Sequence, residues 1–361
     1  MGGSSMIDGI IIKTSINNLE EWLALTKIQT WSSIDKTSGE MRSRKCENQI
    51  ITKHRGKWEF YNIEMIEVKK LNVNSTSYYL NIRGSLHKNH FNGKNYQLFN
   101  YSDLQYQIRH ICKSLFIEPE NARISGLEFG VNLVTPFNVK AFLDNNVLDF
   151  KGKRFDKYLP DKRGLGLGLF CPLSQYQIKL YDKGAQNKLD YNLMRFEKKC
   201  LRMQVLKKLK IINLSDLLDK AKVYSLKPML LRAWNDVLIY DIEDSEMLSI
   251  EISDDDKRFL SDGRSEIYWQ KIKEASLNSY NYKRRKYREL VQKFGLNYHS
   301  LIYKKLGETW DSLFDNSTNL PVVISTQLNN LTIKIKGKYI ESISKYCNPC
   351  IWNGPVIVNY N

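Results

Sequence analysis

The chain lacks any run of about 18 apolar residues, the length a bilayer-spanning helix needs, so no membrane span is expected. Its N-terminus lacks a basic stretch followed by an apolar core, so no secretory signal is expected either. Met1-Gly-Gly-Ser-Ser reads as an expression scar, with the natural start expected at Met6. Cysteine is sparse: six, at positions 46, 112, 171, 200, 347 and 350, of which only Cys347 and Cys350 form a C-x-x-C. That scatter suits a reducing, cytosolic compartment. One C-x-x-C without a second ligand pair does not make a structural zinc site, so Cys347 and Cys350 are read as free thiols. Arg163-Gly-Leu-Gly-Leu-Gly-Leu matches neither a dinucleotide nor a P-loop fingerprint and is read as a strand edge or a close backbone approach. Internal repeats and low-complexity segments are also missing.

What is present is a chain of 361 residues, enough for one large domain or two ordinary ones. At 42% hydrophobic and 12% aromatic residues it is globular. Its 55 Lys and Arg outnumber 39 Asp and Glu. That excess favours a polyanionic partner, nucleic acid ahead of an anionic membrane surface, over a basic protein with no such partner.

Strand-like runs cover Ile7 to Thr14, Trp58 to Val68, Ser77 to Leu86, Ile124 to Val134, Leu165 to Leu173, Tyr176 to Asp182 and Asn192 to Lys199. Helical patterns cover Leu19 to Leu25, Tyr101 to Phe116 and Asn138 to Asn145, with Ser102 and Gln105 placed as a capping box. Lys151 to Arg163 reads as a basic loop, and Leu201 to Leu209 as a basic helix. Strands interleaved with isolated helices, without a βαβ rhythm, predict an α+β fold with a mainly antiparallel sheet. Beyond about residue 212 the patterns turn helical: Leu214 to Leu218, Leu226 to Tyr240, Trp269 to Leu277, Tyr280 to Phe294 and Tyr298 to Leu306, with acidic Asp241 to Asp256 as a connector. The expected organisation is a core over 6–212 and a helical DNA-binding or accessory region over 213–361.

Alternation along a strand sorts side chains onto two faces. On the polar faces stand Glu128 and Asn132 with Gly130, which leaves room for a ligand. Gln177, Lys179, Tyr181 and Lys183 share a face, as do Arg195, Glu197 and Lys199, and Asn81, Arg83, Ser85 and His87. Tyr176 falls on the core side, which removes it as an alternative nucleophile. A tyrosine hydroxyl is a weak nucleophile unless nearby charge lowers the cost of the phenolate. Attack on phosphate also needs its non-bridging oxygens neutralised, which Lys, Arg and a divalent ion can do. Glu128 and Glu197, with His87 as a third ligand and Asp8 as an extra candidate, suit Mg²⁺ or Mn²⁺. The expected catalytic set is Tyr181, Lys183, Lys179 and Arg195. The run Tyr282, Lys283, Arg284, Arg285, Lys286, Tyr287 and Arg288 interleaves aromatics with cations and is expected to hold phosphates and stack bases. A mixed polar sheet face and a solvated basic helix are the structural alternatives. His54, His110 and His299 have no companions and are read as structural or exposed.

At Met6-Ile-Asp-Gly-Ile, Ile124-Ser-Gly-Leu-Glu128-Phe, Ile178-Lys-Leu-Tyr181-Asp-Lys183 and Leu193-Met-Arg195-Phe-Glu197 the chain resembles the gene II replication initiators of filamentous phages and their phage and plasmid relatives, the Rep-trans-like tyrosine endonucleases. The aromatic-basic run from Ser279 to Val291 resembles that family's C-terminal helix. Gly84-Ser-Leu-His87-Lys88 with Phe91-Asn-Gly resembles a pattern in replication proteins of Bacteroidetes type. The resemblance implies an HUH-like or derived nuclease core that nicks and rejoins one DNA strand in rolling-circle replication, through a 5′-phosphotyrosyl bond. It places the family's tyrosine on Tyr181 and its Arg-Phe-Glu carboxylate on Glu197. The chain departs from the wider superfamily in having His87 and His90 as H-x-x-H and no His-hydrophobic-His pair. The implied partners are single-stranded or supercoiled origin DNA and the helicase and polymerase of a bacterial host. A relaxase of the same chemistry and a non-catalytic single-strand binding protein are the alternative functions.

Overall fold

The computed structural model describes residues 6–32, 43–46, 48–158, 168–242 and 251–315. Its strands are β1 (Ile7–Ile16), β2 (Thr30–Ser32), β3 (Ser43–Cys46), β4 (Gln49–Trp58), β5 (Tyr61–Lys70), β6 (Ser75–Ser85), β7 (Arg123–Val134), β8 (Val147–Phe150), β9 (Lys153–Arg154), β10 (Asp156–Lys157), β11 (Gly168–Pro172), β12 (Tyr176–Asp182), β13 (Leu193–Cys200) and β14 (Val237–Ile239). Eleven of these form one sheet in the order β10-β11-β12-β13-β7-β1-β6-β5-β4-β2, with β3 on β4, and the rest form a small sheet β14-β8-β9. The strand pairs among the described residues are antiparallel, so the α+β class with a mainly antiparallel sheet holds.

The apolar members of each alternating strand supply the core. Ile10 and Ile12 of β1, Leu80 and Ile82 of β6, Phe129 and Val131 of β7, and Phe196 of β13 are buried with helix residues Trp22, Leu104, Ile108 and Ile111. These come from α1 (Leu19–Thr26) and α3 (Tyr101–Leu115); α2 is the short helix Leu86–His90. Leu214, Leu230, Trp234, Leu306 and Trp310, from beyond residue 212, are buried in the same core. A second cluster gathers Tyr240, Leu260, Trp269, Tyr280 and Tyr287.

Several local expectations are corrected. The run from Trp58 to Val68 is split by a turn at Glu59, whose φ of 49° is left-handed, so β4 and β5 form a hairpin. Glu59-Phe60 carries none of the usual Asn-Gly signal for a two-residue turn. The capping box of α3 starts two residues before Ser102. Asn100 accepts from the Asp103 amide at 3.0 Å, and Asp103 accepts from the Asn100 amide at 2.9 Å. The expected loop from Lys151 contains β9 and β10, and its residues after 158 lie outside the described ones. The basic helix after Leu201 is one turn, Gln204–Lys207, and the helix from Leu226 stops at Asn235 before Val-Leu-Ile pairs as β14. Residues 1–5, most of the Gly-Leu run, half of the acidic connector, and Cys347 and Cys350 lie outside the described residues. Among the described residues no helix is long and apolar enough to cross a membrane.

Candidate active site

Register brings the polar strand faces together. Across β12 and β13, Lys179 stands opposite Glu197 and Tyr181 opposite Arg195. Across β13 and β7, Arg195 faces Asn132, Glu197 faces Gly130 and Lys199 faces Glu128. Opposed residues of an antiparallel pair point to the same side, so these side chains share one sheet face. Glycines set the spacing. A Cβ on Gly130 would lie 2.2 Å from the Phe196 carbonyl oxygen and 2.6 Å from the Glu197 Cβ, and one on Gly9 would lie 2.8 Å from the Glu128 Cδ. Gly130 therefore makes room for the neighbouring strand and not for a ligand, which corrects the expectation for it.

The charged groups are closely paired. Lys179 Nζ bridges the two glutamates, 2.8 Å from Glu197 Oε1 and 3.0 Å from Glu128 Oε2. Lys199 Nζ is 2.5 Å from Glu128 Oε1. Arg195 is fully buried; its Nε donates to Glu197 Oε2 at 2.6 Å and its Nη1 to Asn132 Oδ1 at 3.0 Å. Burial alone would raise the Glu197 pKa, but Lys179 and Arg195 hold it well below the usual carboxylate range. Tyr181, half-buried, donates its hydroxyl to Glu197 Oε2 at 3.4 Å. Burial and the Glu197 charge push that phenol well above its ordinary pKa, so it rests protonated.

Lys183 does not continue the strand face. Asp182 accepts from the Ala185 amide at 2.8 Å and caps a short helix, α4 being Val139–Asn145 and this one α5 (Lys183–Asn187). Lys183 is buried, with Nζ donating to Asn95 Oδ1 at 2.7 Å and Gln186 Oε1 at 3.1 Å, and standing 5.5 Å from the centre of the Tyr181 ring. Burial, helped by the Arg195 charge, pushes its pKa down to about 7. Asn95 Nδ2 donates in turn to Asp8 Oδ2 at 3.1 Å, and the Ser85 hydroxyl donates to Asp8 Oδ1. Burial opposes the Asp8 charge, yet Arg195 and Ser85 help to hold its carboxyl below the ordinary value.

His87 also leaves its expected place. β6 ends at Ser85, which caps α2 by accepting from the Lys88 amide at 3.0 Å. The His87 ring is buried against Phe99 and Phe91, 5.1 and 5.3 Å away, and neither nitrogen has a hydrogen-bond partner among the described residues. Burial pushes its pKa down to about 3. Among the described residues no group of three or more His, Cys, Asp or Glu side chains is placed to hold a metal. As placed, the donors do not fit a divalent ion, because the ammonium of Lys179 occupies the gap between Glu128 and Glu197.

The aromatic-basic run lies on the helix Leu277–Phe294 and divides by helical period. Arg284 is buried and its Nη1 meets both Asp149 oxygens at 2.7 Å, while Tyr287 is fully buried. Lys286 pairs with Asp256 at 2.5 Å. Arg285 and Tyr282 are exposed, and Lys283 and Arg288 half-buried. Asn95 is not legible in the sequence, since the irregular segment around it has no periodicity; Asp8 is, from its place in the first strand.

No protein-family model matches the chain, and no curated protein matches it. A solved structure of the rolling circle replication initiator protein from Geobacillus stearothermophilus is similar to it, at 13% identity and a TM-score of 0.33, over 72% of this chain and 91% of that one. Likeness at that level carries no argument about the site, which rests on its own geometry.

Proposed function

We propose that the chain is a replication initiator that nicks one strand of origin DNA with Tyr181 as nucleophile and later rejoins it. The observation that carries this reading is the convergence on one phenol of a hydrogen-bonded carboxylate, Glu197, and a buried lysine, Lys183, beside Arg195 and Lys179. Burial and Glu197 oppose the free phenolate, so attack on a phosphodiester would need its proton removed as the bond forms, with the cations beside it neutralising the phosphate.

In the proposed step the Tyr181 oxygen attacks the phosphorus, the bond from phosphorus to the 3′ oxygen breaks, and the 5′ phosphate remains on the tyrosine. The leaving 3′ oxygen takes up a proton from water and departs as a hydroxyl. Glu197 orients the phenol. Its own proton affinity is too low to make it a good base. Lys183, neutral in part near pH 7, takes the phenolic proton and then stands as an ammonium beside the phosphate. No step is routed through a metal, since Mg²⁺ or Mn²⁺ would have to displace Lys179 from the carboxylates.

Incubation with a single-stranded origin oligonucleotide, with and without Mn²⁺, is expected to give an adduct stable to SDS whose modified peptide contains Tyr181. Tyr181→Phe is expected to abolish it. Strand binding with no adduct from the wild type would instead identify a non-catalytic single-strand binding protein.

A further inference from the structure

The sheet face that carries Tyr181 and Glu197 does not end at β7. Through β1 the register continues it across β6, β5 and β4 in parallel rows. One row runs Ile11, Arg83, Asn62, Lys57; the next runs Lys13, Asn81, Glu64, Arg55 and on to Trp31 of β2; a third runs Ser15, Tyr79, Ile66, Lys53. The opposite side of the same strands carries Ile12, Ile82, Ile63 and Met65, all in the main core. On the outward side Lys13, Lys53, Arg55, Lys57 and Arg83 are exposed. Tyr79 is 44% and Trp31 51% exposed. Glu64 stands among these cations and is paired with Lys53 at 3.2 Å.

We infer that this outward face of β1, β6, β5, β4 and β2 binds a single nucleic-acid strand and leads it to Tyr181. The inference deepens the nicking reading and rests on it for the direction in which the strand runs. Cations spaced along neighbouring rows suit a chain of phosphates, and two exposed aromatics on the same face suit unstacked bases. A duplex offers no free base faces to Tyr79 and Trp31. The helix Leu277–Phe294, the sequence's candidate for this role, spends Arg284 and Tyr287 on packing and Lys286 on Asp256.

The test uses the full chain with Tyr181→Phe, so that no covalent step contributes, and a fluorescein-labelled oligonucleotide followed by anisotropy as a single strand and as its duplex. Combined Arg55→Gln, Lys57→Gln and Arg83→Gln is expected to weaken strand binding at least tenfold. It should also flatten the dependence of log affinity on log salt by roughly 0.7 for each phosphate that the variant no longer neutralises. Tyr79→Ala and Trp31→Ala are each expected to cost roughly fivefold or more on the strand and nothing on the duplex. For comparison, Lys283→Gln with Arg285→Gln on the helix Leu277–Phe294 should cost less than the sheet variant. All these side chains reach solvent, so unfolding midpoints should match the parent; should the triple variant not fold, Arg55→Gln and Arg83→Gln singly give the same reading in smaller steps. Unchanged binding in the sheet variants, a larger loss in the helix variant, or equal aromatic effects on duplex and strand would overturn the inference. If the wild type forms no adduct while the sheet variants still lose binding, the nicking reading fails and this surface stands. If the adduct forms but sheet variants bind normally, this surface fails alone.

Discussion

Arg195→Ala is expected to lower the free energy of unfolding by about 3–5 kcal/mol, the range for removing one partner of a buried ion pair. Arg195 is fully buried, bonded to Glu197 and Asn132, and its charge also reaches Asp8. Truncation leaves the Glu197 carboxylate, itself 2% exposed, with Lys179 as its hydrogen-bonded cation among the described residues and a void where the guanidinium lay. A urea titration measures the loss. Charge and cavity effects separate in a second variant, Arg195→Met with Glu197→Met, which fills space and removes both charges. If charge dominates, the pair should recover much of the loss, since apolar replacements of whole buried ion pairs are often neutral or better. A single-variant loss below about 1 kcal/mol would show that the network is not a structural element at all. The pH dependence has a definite sign. Glu197 has its pKa depressed in the folded state, so its contribution is complete above the ordinary carboxylate pKa and is lost as pH falls below it. Wild type should therefore lose stability on acidification more steeply than the double variant.

The site is legible in the sequence where strand alternation holds and lost where it stops. Glu128, Lys179, Tyr181, Arg195 and Glu197 fall on one face because β7, β12 and β13 pair in register over their whole polar stretch. The same parity sorts Lys183 and His87, but they lie one and two residues past the strand ends, where helices turn the chain inward. The punctuation is there to read: Asp182 and Ser85 are good N-cap residues, and each accepts from the amide three positions on. Charge misleads at the basic helix. Tyr280, Arg284, Tyr287 and Val291 keep a helical period and are its buried stripe, so period and not composition decides which cations reach solvent. Asp149, the partner that lets Arg284 be buried, is 135 residues away in sequence, and no local pattern announces it. The sheet wing is hidden for a different reason: without a recognisable turn at Glu59, the run reads as one strand where two stand, and the register that aligns Lys57, Asn62 and Arg83 cannot be drawn.

Lys183→Met is expected to slow adduct formation by roughly 10²–10⁴-fold, the usual contribution of a positioned base. The wild-type rate should rise with pH through about 7, as the buried amine loses its proton and becomes able to accept one from Tyr181. That rise should vanish in the methionine variant. Lys183→Arg separates two roles: a guanidinium beside the phosphate can neutralise charge but stays protonated and cannot serve as a base. If Lys183 acts only through its charge, the arginine variant should keep most of the rate; if it accepts the proton, arginine should be nearly as slow as methionine. A stability measurement checks the pKa without reference to activity. A lysine at about 7 in the folded chain, against about 10.4 unfolded, binds fewer protons when folded throughout that window. Stability should therefore rise with pH between those values, by at most about 1.4 kcal/mol per unit, and Lys183→Met should abolish the rise. A wild-type stability that is flat from neutral to alkaline pH would mean that Asp8 and Asn95 hold Lys183 charged, and the proton would then have to leave Tyr181 by another group.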